Sequence, residues 1–273
     1  MSVPVDPAVV AIGVALVGYL VADDRVRRRL GHAPRPRARA AFLAGVAVLL
    51  VALVGPLDAQ VTTSFTAHMV QHLLLTMIAA PLLLIGAPIT LALAAWPGAP
   101  RRWILRVLHS APVRVLTNPI VAWAAFFGVL WGIHLTGWYE AALTDPAVHA
   151  AEHAVLLATA LLFWMPIVHV DPTPSHLSHP ARILYLFLAM PAMAFLGLTI
   201  AGANDVLYPA YARAEGVAAA LADQQRAGAI MWVGTMFLIV PALAFVLLDW
   251  MRADEREASR IDARLAAASE GGS

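Results

Sequence analysis

Five histidines are spaced so that they could share one ion. His68 and His72 stand four residues apart around Met69-Val70-Gln71, and His149 and His153 repeat that spacing around Ala150-Ala151-Glu152. Residues four apart lie on one face of a helix, one turn above each other. Each pair can therefore present two imidazoles to one ion, as other helical two-histidine sites do. His134 offers a further nitrogen if its helix ends beside them. A lone histidine in an apolar helix serves as readily for hydrogen-bonded packing, but two such pairs and a third histidine favour a metal or cofactor site. Cysteine is absent, which excludes disulfides, thiolate zinc sites and iron–sulfur clusters but not imidazole ligation.

Other donors lie near these positions in the pattern. Glu152 sits between the paired histidines and is a candidate to orient an imidazole, although an acid in a first helical turn is also favoured by the helix dipole. Asp223 and Gln224 open the last apolar stretch. Asp223 is read either as an N-cap or as an acceptor that orients an imidazole. Met231 lies about two turns further along and could add a thioether, with core packing the plainer role. Imidazole suits zinc, copper, iron and nickel, and a thioether tips the balance toward copper. Zinc remains open. Haem is less favoured, because two histidines on one helix face cannot be opposite axial ligands, and His169 has no helical partner to build a second haem layer.

The elements that must carry these side chains are membrane spans. Hydrophobic residues make up 61% of the chain, charged residues 13%, and mean hydropathy is +0.76; soluble domains carry about a quarter charged residues. Apolar stretches fall near 7–22, 40–57, 65–86, 119–136, 147–168, 181–203 and 226–249, which predicts an all-α bundle of seven transmembrane helices. All basic residues are arginine, and all except Arg213 and Arg226 fall in segments on one side of these spans. The positive-inside rule makes that side cytoplasmic, with the N-terminus outside and the C-terminus inside. The third and fifth spans then run inward and the fourth outward. His68, His72, His134, His149 and His153 all come to the outer ends of their helices. His32, His109, His169, His176 and His179 fall toward the inner side.

The remaining segments fit this frame. The first stretch, preceded by no positive leader, reads as a retained span. Pro81 is expected to kink the third span and Pro88 to end it or bend it along the inner surface. Residues 97–118 read as an inner interfacial helix. Residues 204–222, with Tyr208 and Tyr211, read as an outer loop at the headgroups. One transmembrane domain is expected over 1–250, followed by a charged tail, 251–273, as a short helix fraying into disorder. Net charge is +1, so nothing points to nucleic acid. The middle of the spans holds no Asp, Glu, Lys or Arg, which argues against a secondary transporter. No phosphate loop, catalytic triad or paired-carboxylate site is visible, and metal handling fits better than catalysis.

The motifs resemble a known family. Thr66-Ala-His68-Met-Val-Gln-His72, Ala80-Pro-Leu-Leu-Leu-Ile-Gly-Ala-Pro88, His149-Ala-Ala-Glu-His153, Phe163-Trp164, Ser178-His-Pro-Ala-Arg182 and Asp223-Gln-Gln-Arg-Ala-Gly-Ala-Ile-Met-Trp232 look like the CtaG family of polytopic bacterial cytochrome c oxidase assembly proteins, across about 40–250. The resemblance implies a multi-pass protein of the bacterial plasma membrane that helps mature a haem–copper oxidase. It implies delivery of copper to the oxidase's catalytic subunit, and the outer histidine layer makes an outer-side copper donor protein a candidate partner. Two alternatives use the same histidines: a haem-binding or redox membrane protein, and a metal-free structural assembly partner. An oligomer is compatible with each.

Overall fold

The computed structural model describes residues 7–31 and 35–270, so His32 lies outside the described residues. Those residues are helical, without strands. In chain order they form α1 (Pro7–Leu30), α2 (Pro36–Leu53), α3 (Phe65–Leu73), α4 (Ala80–Ile85), α5 (Pro88–Ala95), α6 (Ala99–Leu108), α7 (Ala111–Leu116), α8 (Pro119–Leu135), α9 (Trp138–Ala142), α10 (Pro146–Val168), α11 (His179–Ala201), α12 (Pro209–Glu215) and α13 (Val217–Glu270). Six segments are long and apolar enough to cross a membrane: Pro7–Leu30, Pro36–Gln60, Phe65–Ala95, Pro146–Val168, His179–Ala201 and Val217–Asp262. The expected fourth span, α8, is apolar but has 17 residues. It reaches about 25 Å, short of the ~30 Å hydrocarbon core.

Two helices run further than their apolar stretches. α1 continues past residue 22 because its acids and bases neutralise one another one turn apart. Asp23 pairs with Arg27 and Asp24 with Arg28, both at 2.8 Å, and Arg39 of α2 also reaches Asp23. α13 starts at Val217, well before residue 226, and continues through the charged tail to Glu270. The tail is thus the end of a 54-residue helix, about 81 Å long, and not the short fraying helix expected. Its Ala, Arg and Glu residues are strong helix formers, so the helix continues although residues 254–262 are exposed.

The third apolar segment passes between α2, α10 and α13. Pro81 was expected to kink it. Just before Pro81, α3 and α4 are joined by a π turn over Leu74–Ala79. Ala80 N donates to Leu75 O, five residues back. Pro81 has no N–H to give Thr76 O in the same register. That carbonyl accepts from Trp164 Nε1 of α10 at 2.8 Å. The wide turn is therefore completed by a side chain of the neighbouring helix, as backbone groups in an apolar surround require. After Gly86, Ala87 adopts the left-handed region (φ 51°) and turns the chain into α5. Asp171 caps α5 by accepting from Thr90 N at 2.7 Å and Ile89 N at 3.2 Å. Tyr19 of α1 stacks on Phe42 and donates to Gly86 O.

The core is aromatic between α8, α10 and α11. Phe126 meets Phe163 at 4.9 Å between ring centroids, and Tyr185 donates to Phe163 O. α11 and α13 cross backbone to backbone at Gly197 and Gly228. A Cβ on Gly228 would lie 2.6 Å from Gly197 O, and one on Gly197 would lie 2.7 Å from Gly228 O. Small residues allow such close approach where lipid supplies no hydrophobic drive between helices. Gly228→Val is expected to cost about 1–3 kcal/mol or more and to lower the midpoint of thermal unfolding in detergent. Gly13→Val, with nothing within 4 Å, is the control expected to leave the midpoint unchanged; equal effects would contradict the crossing.

Candidate metal centre

α3 and α10 lie side by side, and each turns its histidine-bearing face to the other. The N-terminus of α3 is fixed first. Ser64 caps it by accepting from Ala67 N at 3.2 Å. Asp223 of α13 adds a second clamp, accepting from Thr66 Oγ1 at 2.6 Å and from Thr66 N and Ser64 Oγ at 3.2 Å. Asp223 thus binds a backbone end on another helix, and neither caps its own helix nor orients an imidazole. Gln224 ties down the loop before α12, accepting from Leu207 N at 2.7 Å and donating to Asp205 O at 3.1 Å. Asp145 caps α10 through Ala147 N at 2.8 Å.

The paired histidines converge. Ring centroids lie 4.4 Å apart for His68 and His72, 4.2 Å for His149 and His153, 5.1 Å for His68 and His149, and 5.6 Å for His72 and His153. Glu152 is fully buried among them, with its two oxygens 3.8 Å from His68 Nε2 and 3.6 Å from His72 Nε2. It therefore faces the imidazoles as a donor in its own right, closer in than the orienting role expected of it. Two donor sets have ligand atoms all within 4.8 Å of one another: His68, His149 and His153, and His68, His72 and Glu152. His68 Nε2, both nitrogens of His72, Nε2 of His149 and His153, and both oxygens of Glu152 have no hydrogen-bond partner among the described residues. Each buried polar atom left unmatched costs about 1–3 kcal/mol, so donors gathered this closely suit a cation.

A hydrogen-bond chain sets the tautomer of His68. Tyr211 donates to Val61 O at 2.9 Å, and a carbonyl can only accept. Its oxygen, 3.0 Å from Tyr139 Oη, then accepts from Tyr139. Tyr139 Oη, 2.8 Å from His68 Nδ1, must in turn accept from that nitrogen. The proton of neutral His68 is thereby on Nδ1, and Nε2 keeps its lone pair toward the cluster. Burial raises the pKa of Tyr139 well above the usual phenol value, with Tyr211 adding to it, and burial does the same to Tyr211. Both remain O–H donors. Such outer hydrogen bonds orient metal-binding imidazoles in general.

His134, at the end of α8, stands beside the two compact sets. Its Nδ1 donates to Leu130 O at 2.8 Å, and its ring lies 6.0 Å from that of His72. Nε2 then holds a lone pair 3.4 Å from Met69 Sδ. Two lone pairs cannot bond each other, but they can face one soft ion. Met231 is buried in the core, and among the described residues no hydrogen bond or ring contact joins it to the histidines. The thioether beside a clustered histidine is that of Met69, at His134. The sequence places Met69 beside His68 but does not show that it leans toward α8.

Tyr139, Tyr208 and Tyr211 roof the cluster. Tyr208 and Tyr211 were expected at the headgroups, yet both are buried, and Tyr208 donates to His134 O at 3.0 Å. Phe65 packs against all three rings. At the other end of α10, about 22 Å from His153 by helical rise, a separate polar group forms. His176 Nδ1 lies 3.1 Å from His169 Nε2, and Asp249 pairs with Arg182 at 3.1 Å and His179 at 3.3 Å. Among the described residues, the His109 side chain bonds to Leu105 O of α6, one turn back.

Tyr139→Phe is expected to release the fixed Nδ1–H tautomer of His68, read by 15N chemical shifts, and to weaken binding of an imidazole-seeking ion by about tenfold or more. Tyr208→Phe, which touches a backbone carbonyl, should do neither. Equal behaviour of the two variants would contradict the chain.

Residues 17–253 match the family model described as "Cytochrome c oxidase caa3 assembly factor (Caa3_CtaG)". Uncharacterized proteins of Mycobacterium bovis and Mycobacterium tuberculosis are each 30% identical to this chain over 268 residues, covering 94% of it and 40% of themselves. A Mycobacterium leprae protein, also uncharacterized, is 28% identical over 256 residues, covering 90% of the chain and 39% of itself. The chain thus spans about two fifths of the length of the curated relatives it matches. No solved structure matches it. With the family model extending over most of its length, the chain is a membrane protein that belongs to the caa3 cytochrome c oxidase assembly factors.

Proposed function

We propose that this chain binds copper at the histidine cluster and helps pass it to the copper centre of a haem–copper oxidase catalytic subunit, without itself catalysing a reaction. The observation that carries this reading is the convergence of two buried histidine pairs on Glu152, with their facing nitrogens unmatched. Imidazole donors with the Met69 thioether beside His134 favour copper over harder ions, and zinc is the competing cargo. Membership in an oxidase assembly family supports the direction of transfer.

The protein then sits in the bacterial plasma membrane with seven spans, α8 serving as the short fourth. The arginine distribution sets the N-terminus outside and the C-terminus in the cytoplasm. A short α8 is tolerable where the bilayer thins or flanking residues adapt. Its end is followed by Trp138 and by the tyrosine roof, which suits a helix stopping below the outer surface. In this orientation the cluster faces the outer side, where a donor protein would supply copper, and the oxidase subunit docks against the bundle.

Copper content of the purified protein tests the site. The wild type is expected to retain stoichiometric copper through desalting. The His72→Ala/His149→Ala double variant, which breaks both donor sets, should lose it, and cells carrying that variant should accumulate oxidase deficient in copper. No copper in the wild type, or equal copper in both proteins, would overturn the reading. A Soret band in the visible spectrum would assign the histidines to haem instead.

A further inference from the structure

The two donor sets differ in access. His68, His72 and Glu152 are buried to 0–4% exposure, whereas His149 is half-buried. A cavity of about 680 Å³ lies between the N-terminal ends of α1 and α10 and the C-terminal end of α2. Its walls are apolar, including Ala11, Ile12, Leu53 and Leu157, and its polar lining is Asp58, His149 and His153. The size admits a cation with several waters, given about 30 Å³ per water in the liquid. His153 is itself more than nine-tenths buried, and its Nε2 is unmatched. Asp58 is held by Gln71 Nε2, 2.8 Å from its Oδ1, and Gln71 also donates to Ala52 O. One carboxylate is thereby fixed on the path between the cavity and α3.

His68 belongs to both sets. Its Nδ1 is committed to Tyr139, so one lone pair serves two positions. An ion in one set and an ion in the other would compete for Nε2. We propose that the cluster holds two mutually exclusive positions for one cation. The outer one (His68, His149, His153) is loaded through the cavity beneath α1, and the inner one (His68, His72, Glu152) retains the ion. Movement between them is ligand exchange about His68: bonds to His149 and His153 break as bonds to His72 and Glu152 form, with no change in oxidation state. The inner set adds a carboxylate in a dry surround, where its attraction for a cation is strongest. This rests on the copper-binding reading above and adds a route and an order to it.

The test uses the full-length protein in lipid nanodiscs, with copper(I) offered from a chromophoric chelator, and reads the uptake rate and the copper bound at equilibrium. Ala11→Trp, on the α1 wall of the cavity and on a helix that carries no donor, is expected to slow uptake about tenfold while leaving equilibrium copper unchanged. Leu53→Trp narrows the α2 wall and should act alike, which keeps the test decisive if Ala11→Trp proves unstable. His149→Ala should slow uptake but retain bound copper. His72→Ala should load at the wild-type rate and release copper about tenfold faster or more. Wild-type uptake in both tryptophan variants would overturn the route. Indistinguishable uptake and release defects in His149→Ala and His72→Ala would overturn the two positions while leaving copper binding intact. A wild type that takes up no copper would overturn both readings.

Discussion

Polar groups inside a membrane bundle need partners, and this bundle gathers four imidazoles and one carboxylate into two compact donor sets, with a fifth imidazole, His134, beside them. Left to themselves, facing lone pairs gain nothing from proximity, and each unmatched atom carries a desolvation cost. The surrounding structure nevertheless fixes them face to face. Ser64 and Asp223 pin the start of α3, Asp145 pins the start of α10, and Tyr139 holds His68 with its Nε2 lone pair inward. That much positioning of an unfavourable arrangement is intelligible if a cation completes it.

The rest of the fold follows from holding α3 and α10 in contact. The π turn after α3 is matched by Trp164 of α10, which ties the two helices together further along than the histidines. α13 reaches α3 through Asp223 at one end and packs on α11 where Gly228 meets Gly197. The tyrosine roof, built from α9 and the segment around α12, seals the cluster on the side where α8 ends. On the opposite side the wall is thinner, and there α1 borders the cavity that reaches His149.

Much of the site could be read in the sequence because helical spacing is a local property. The i, i+4 pairs put His68 with His72 and His149 with His153, and the arginine pattern brought both pairs to one depth. Contacts across helices were less legible. Glu152 was visible, but whether it pointed at the imidazoles or past them depended on the rotation of α10 against α3. Tyr139 and Met69 meet their histidines through tertiary packing, which no spacing encodes. Tyr208 and Tyr211 read as interfacial by their amphipathic character, and burial under Phe65 overrode that preference. Asp223 carried a correct sign of capping, but it caps α3 rather than its own helix. Span lengths were nearly legible, save that intrahelical ion pairs extend α1 and helix-forming residues extend α13.

Copper held jointly by α3 and α10 through imidazole nitrogen, as proposed, has a signature in X-ray absorption at the copper edge of the loaded protein. The spectrum is expected to show a first shell of nitrogen or oxygen donors with the multiple-scattering pattern of at least two imidazole rings. That pattern should be lost in the His72→Ala/His149→Ala protein. A first shell without imidazole scattering, or a spectrum unchanged in the double variant, would contradict that reading.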